Sequence, residues 1–459
     1  MLGAAGVQID GTVVRLVLAA SLGYVGSYAW RSPWIGVIPA DYAERKVLSI
    51  DFQTFTSLCY CIGFALGKPI GISLFSSKWG ASNKTKLIIG LQILSGTLCS
   101  LGLILFDAEA GLLIRSSALA AITSAGLASV ASSTIYGGYT MYLEGRRSTA
   151  LLLAFLNFSY VFAGGMWRWV GAALIDSSVP ARYMPAAMCA IGMPVSCVAV
   201  CFLGSTPPPL AHERELKGRR GAMSFEARIR FLWTSLFGIS IMFIQHSALA
   251  TMRSFRDSYF RELVTHGTQL NSSAIVPSPS PLPSSFVPVV PRPSPSPPAS
   301  GSPSTSPVSY LLLDLPGGLA MFFIMIYLGS KKSIVLNPRS ALLSFFAAQA
   351  CGVAILLVGT AGYGLGLISE VPWQVLCGLG IYASYGTMGA PTFDALFAVT
   401  RAEGTSSFLI FAADGVGYVG TISVLLLKDF GVKGGGSGLS RSAVVEHDKG
   451  VFTVLALIW

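Results

Sequence analysis

Charge is what this sequence has least of. Only 11% of its 459 residues are Asp, Glu, Lys or Arg, and there are four histidines. A water-soluble domain carries about 25% charged residues. A chain this long and this poor in charge has no surface to offer water. Metal-ligand spacing is also missing. The eight cysteines all fall in apolar blocks, and Cys59 and Cys61 are two apart, which is no zinc pattern. They read as small buried residues. No glycine loop ending in Lys-Ser/Thr is present to cradle a nucleotide, which argues against an ATP-driven pump. No Gly-x-Ser-x-Gly element appears, and His212-Glu-Arg-Glu reads as a solvated run. The sequence therefore calls for no cofactor, no metal and no enzyme.

What fills the space is apolar: 53% of residues are hydrophobic. They come in blocks of the length that crosses a hydrocarbon core, about 20 residues of helix. Lipid offers no partner for a bare backbone group, so these blocks must be helices. We read spans at 12–38, 51–76, 87–106, 113–141, 148–175 and 183–204, then at 231–262, 309–329, 340–360, 372–397 and 405–428. The apolar stretch Val451–Trp459 reads as the start of an incomplete twelfth. The fold class is an all-α polytopic membrane protein with two six-helix bundles, 1–204 and 231–459. A basic linker, 205–230, joins them. The Pro/Ser-rich stretch 267–308 cannot bury enough apolar surface to fold and is expected to be disordered. It holds the glycosylation sequon Asn271-Ser-Ser.

The net charge of +10 reports topology rather than nucleic-acid binding. With the N-terminus in the cytosol, the inner segments hold Arg15, Lys78, Lys84, Lys86, Arg146, Arg147, the basic residues of 214–230, Lys331, Lys332, Arg339 and Arg401. The short outer ones hold only Arg45, Lys46, Arg115 and Arg182.

Ionisable residues inside spans are costly and mark cavities or partners. Tyr24, Tyr28 and Arg31 in span 1 follow at i, i+4 and i+7 and share a face. Two phenols and a guanidinium fork suit a phosphate or carboxylate. Lys68 in span 2 either joins that site or snorkels to the interface. His246, Arg253 and Asp257 share a face of span 7. Arg253 and Asp257 either serve the site or form an internal i, i+4 pair. Arg168, between Trp167 and Trp169, is either a cavity residue or an interfacial one. Glu144, Arg146 and Arg147 end span 4 as a gate element or a headgroup cluster. Asp414, alone in span 11, is the best proton-carrier candidate, because an isolated carboxyl in low dielectric resists ionisation. A structural hydrogen-bonded role is the alternative. Asp394 is expected to pair with Arg401.

Gly23-Tyr-x-x-x-Tyr-x-x-Arg31, followed by Gly63-Phe-x-x-x-Lys68, resembles the organophosphate:phosphate antiporters of the major facilitator superfamily. In that family arginines of spans 1 and 7 hold the phosphate and a lysine of span 2 lies near it. The resemblance implies those roles for Arg31, Arg253 and Lys68. The loop after span 2, Ser76-Ser-Lys78, lacks the acid that the family carries there. Along most of its length the chain is similar to a family of facilitator-like membrane proteins without an assigned activity. Tyr142-Leu-Glu-Gly-Arg-Arg147, Tyr183-Met-Pro185, Arg253-x-x-Arg256-Asp257 and Asp414-x-x-Gly-Tyr418 carry that likeness. The expected function is secondary transport of a small organic anion, a class that includes phosphorylated metabolites. A receptor or scaffold on a transporter fold is the alternative.

Overall fold

The computed structural model describes residues 11–36, 42, 45–48, 50–107, 117–144, 146, 148–209, 225–273, 308–331, 337–400 and 406–427. The proposed twelfth span, Arg147 and Arg401 lie outside the described residues. So do the side chains of Asp257 and Asn271.

Helices dominate, as lipid requires. They are α1 (Gly11–Ser27), α2 (Ser32–Gly36), α3 (Phe52–Ser76), α4 (Lys84–Phe106), α5 (Ser117–Leu143), α6 (Thr149–Asp176), α7 (Met184–Gly204) and α8 (Phe225–Thr234). Then come α9 (Leu236–Ser273), α10 (Val308–Ser330), α11 (Pro338–Gly364), α12 (Glu370–Met388), α13 (Ala390–Thr400) and α14 (Ser406–Leu426). Among the described residues seven helices are long and apolar enough to cross a bilayer. An eighth crossing results if α8 and the start of α9 form one bent span. The most apolar windows of α5 and α11 are 61% and 28% buried. This sorts α5 toward the centre and α11 toward lipid. A short antiparallel pairing, Lys46–Val47 with Ile50–Asp51, precedes α3.

Three differences from the expected spans matter. Span 1 is broken: α1 stops at Ser27, residues 28–31 turn, and α2 resumes at Ser32. Pro33 explains this, since a helix interior has no room for its ring while a first turn does. Span 10 breaks the same way at Gly389, with Pro391 in the first turn of α13. Span 7 begins only after a 90° bend between α8 and α9. Helix α8 thus occupies the end of the expected linker. Helix α9 runs on to Ser273, into the stretch expected to be disordered from 267. The remainder of that stretch, up to 307, lies outside the described residues.

The helices before residue 210 meet those after 225 mainly along two pairs, α6 with α10 and α3 with α14. Small residues let other helices close in. A Cβ on Gly192 of α7 would lie 2.3 Å from Ala29 Cβ and 2.7 Å from the Gly26 carbonyl oxygen. Gly192→Ala is therefore expected to cost about 1–3 kcal/mol of stability, read from thermal unfolding in detergent. Gly90→Ala, where the new Cβ meets nothing within 4 Å, is the neutral control.

Candidate functional site

Three of the breaks in the helical pattern converge. Residues 28–31, the turn at Ser133–Thr134 within α5 and Gly389 all border the centre of the bundle. Irregular backbone at membrane depth is tolerated where it lines a cavity. Two small cavities, of about 50 and 60 Å³, meet there and share Tyr28, Arg31, Tyr60, Tyr160, Arg253 and Tyr418. The first also holds Tyr24, Phe64, Lys68, Tyr136, His246, Tyr385 and Asp414. The second extends to Arg168, Ser254 and Tyr382.

Phenol rings pack edge to face around this space. Ring centroids are 5.4 Å apart for Tyr24 and Tyr28, and 5.5 Å for Tyr28 and Tyr160. Tyr160 stacks on Tyr385 at 5.7 Å. The two arginines lie on this aromatic floor. Arg31 Cζ is 4.0 Å from the Tyr28 centroid, and Arg253 Cζ is 4.1 Å from that of Tyr160. Cation–π contact offsets part of the cost of desolvating a guanidinium, but supplies no hydrogen-bond acceptor. Arg31 is 6% exposed and makes no hydrogen bond or ion pair with any described residue, and its Nε is buried without a partner. Tyr160 Oη and His246 Nδ1 are also buried and unpartnered among the described residues. Buried polar groups left open in this way mark space for a polar ligand.

Lys68 is in a different state. Its Nζ donates to Asp414 Oδ2 at 2.7 Å and to the Ser133 carbonyl at 3.0 Å. His246 Nε2 lies 2.8 Å from Asp414 Oδ1. Of the two readings of Asp414, the geometry matches the hydrogen-bonded one, because Lys68 and His246 grip both of its oxygens. Lys68 lines the cavity rather than reaching for the interface, and does so paired.

A second buried ion network sits beside the second chamber. Arg168 Nη2 donates to Asp314 Oδ2 at 2.9 Å, and Arg256 Nη1 donates to Asp314 Oδ1 at 2.7 Å. All three are at most 3% exposed. Their bonds join α6 to α9 and α10. Arg168 is thus a buried, paired residue rather than an interfacial one.

Residues 37–287 and 305–447 match the model of the Family of unknown function (DUF5690). The chain belongs to the DUF5690 family. No curated protein matches it in sequence. Solved structures show the fold. The human organic anion transporter MFSD10 (TETRAN) is 10% identical with a TM-score of 0.56, over 98% of this chain and 100% of that one. The proton:xylose symporter XylE, bound to 6-bromo-6-deoxy-D-glucose, is 13% identical with a TM-score of 0.56, over 97% and 94%. A partially occluded inward-open form of XylE from E. coli is 13% identical with a TM-score of 0.54, over 98% and 97%. This DUF5690 protein has the fold of the major facilitator superfamily and is an integral, multi-pass membrane protein.

Of the residues singled out from sequence, the DUF5690 fold gathers Tyr24, Tyr28, Arg31, Lys68, His246, Arg253 and Asp414 around one cavity. Asp394 is buried in α13 and lines neither chamber. Its expected partner Arg401 is outside the described residues. Glu144 and Arg146 lie away from the cavity at the end of α5. There Arg146 Nε donates to the Tyr142 carbonyl at 3.2 Å and Nη2 to the Pro207 carbonyl at 2.5 Å. The second bond ties this loop to the chain leaving α7. Sequence reading missed the lining tyrosines 60, 136, 160 and 385, and it missed Asp314. Asn157 was visible as a polar residue inside a span. It accepts from Tyr136 Oη at 2.8 Å and donates to the Gly386 carbonyl at 3.2 Å. Among the described residues no cluster of His, Cys, Asp or Glu has the geometry to hold a metal ion.

Proposed function

We propose that this protein is a secondary transporter of a small organic anion. The observation that carries the proposal is the buried Arg31 guanidinium with no counter-charge among the described residues, beside Arg253 and a ring of phenols. A fork of N–H donors in low dielectric is built for a carboxylate or phosphate. Since Asp414 already engages Lys68, the charge left for substrate rests on Arg31, enough for one compact anionic group. The tyrosines would take the organic body through ring contacts and hydroxyl bonds. Phosphorylated metabolites remain within this class. The likeness to a human organic anion transporter of the same fold favours the reading.

The chambers are too small for a sugar phosphate. We therefore read this form as closed around its site, with substrate admitted when bundles 1–204 and 231–459 rock apart. The N-terminus is placed in the cytosol, because the basic residues cluster on that side. Proteoliposomes loaded with the purified protein test the proposal with labelled phosphate, sugar phosphates, dicarboxylates and aromatic carboxylates. At least one anion is expected to accumulate above protein-free vesicles, and neutral xylose is not. Saturable anion binding without uptake would replace the transporter with a receptor. Absence of both would remove the anion site.

A further inference from the structure

We propose that the groove between α1 and α7 binds one chain of an anionic glycerophospholipid, with Arg15 holding the headgroup. This site is separate from the central cavity and does not depend on the transport reading.

The groove follows from two contacts. At one end the helices touch backbone to backbone, where Gly26 and Gly192 leave no room for a Cβ. Pro194, two residues further along α7, interrupts the hydrogen-bond ladder there. At the other end Arg15 Nη2 donates to Ser205 Oγ at 2.6 Å. Between them lies a cavity of about 730 Å³, far larger than either central chamber. Its walls are Val14, Leu18 and Leu22 from α1 and Val195, Val198 and Phe202 from α7. Each of these six is about half exposed on the outside of the bundle.

Length and charge select the occupant. Arg15 and Gly26 are separated by about 16 Å along α1, at roughly 1.5 Å per residue. That is about half of a hydrocarbon core roughly 30 Å thick, the depth of one leaflet. A helix from a second copy of the chain would need a face running the full thickness. This groove is closed at mid-depth by the glycine contact. At its mouth Arg15 is exposed, and among the described residues no carboxylate pairs with it. Its guanidinium lies 5.8 Å from the Phe202 centroid and, among the described residues, donates only to a neutral hydroxyl. Lipid chains gain little from apolar walls alone, since bulk lipid is equally apolar. Shape and headgroup charge must supply the preference. A phosphatidylglycerol-type lipid offers both.

The test uses the full-length protein, purified in detergent with equal phosphatidylglycerol and phosphatidylcholine, and examined by native mass spectrometry. Wild type is expected to retain phosphatidylglycerol selectively. Leu18→Trp and Val198→Trp fill the groove from opposite walls and should remove that retained lipid. Leu343→Trp, on the exposed face of α11, should not. Arg15→Gln should lower the preference for phosphatidylglycerol about fivefold, the usual effect of one basic residue near an anionic surface. It alters no wall, so it decides the matter even if a tryptophan variant fails to fold. Retention unchanged in Arg15→Gln, or in both tryptophan variants, overturns the proposal. So does a dimer through this face that phosphatidylglycerol does not dissolve.

Discussion

Arg31→Ala is expected to abolish anion binding, leaving no thermal shift with any anion that stabilises the wild type. Each hydrogen bond between a guanidinium and an anion contributes about 1.5–3 kcal/mol. A two-pronged contact is thus worth about a hundredfold or more in affinity. Arg31→Lys keeps a cation but loses the planar fork, so binding should fall without vanishing. The state of Arg31 adds a second, less usual expectation. The guanidinium is buried and no described residue compensates its charge. Removing a buried, unpaired charge relieves a desolvation cost that offsets the lost packing. The ligand-free Arg31→Ala protein should therefore melt no lower than wild type. Thermal unfolding with and without phosphate, sugar phosphates and dicarboxylates checks both statements. If Arg31→Ala and Arg253→Ala each left the ligand shift intact, the anion site would be wrong. The fold would stand, because it rests on the spans and on structural likeness.

Asp314→Asn should have the opposite character: little effect on which anion binds, and the largest loss of stability of any single change considered. One carboxylate holds Arg168 and Arg256, and all three are buried. Neutralising the acid takes the counter-charge from two buried guanidinium groups. Breaking a buried pair from one side costs about 3–5 kcal/mol. Replacing all three residues with apolar ones of similar volume, Asp314→Leu with Arg168→Met and Arg256→Met, should recover most of that loss. Denaturation in mild detergent measures both. A loss below about 1 kcal/mol in Asp314→Asn would show that the network is solvated rather than buried.

The parts of this molecule that sequence made visible are those fixed by short-range spacing. Tyr24, Tyr28 and Arg31 are at helical intervals, and so are His246 and Arg253. Their appearance around one cavity needs only the helical period and the correspondence between spans 1 and 7. The break after Ser27 was written in Pro33 and was passed over because the apolar run continues across it. The Lys68–Asp414 bond joins residues 346 positions apart. No local pattern announces such a pair, so Asp414 looked isolated and Lys68 looked free. Asp314 follows closely on a Pro/Ser-rich stretch, where an acid reads as an interfacial residue. Only the packing of α10 on α6 reveals it as the centre of a network. The tyrosines escaped for a related reason. One tyrosine in a span is commonplace, and the ring these form with Tyr24, Tyr28 and Tyr418 exists only once six spans come together.

Arg31 has one more consequence. A charge held in a low-dielectric interior, with no counter-charge among the described residues, is a charge on which the membrane potential can act. Moving one elementary charge through a 100 mV difference changes the energy by about 2.3 kcal/mol. On the transport reading, an anion bound against Arg31 would cancel that coupling. The voltage across the bilayer would then bear more heavily on the empty form than on the occupied one, and would bias which side the vacant cavity faces.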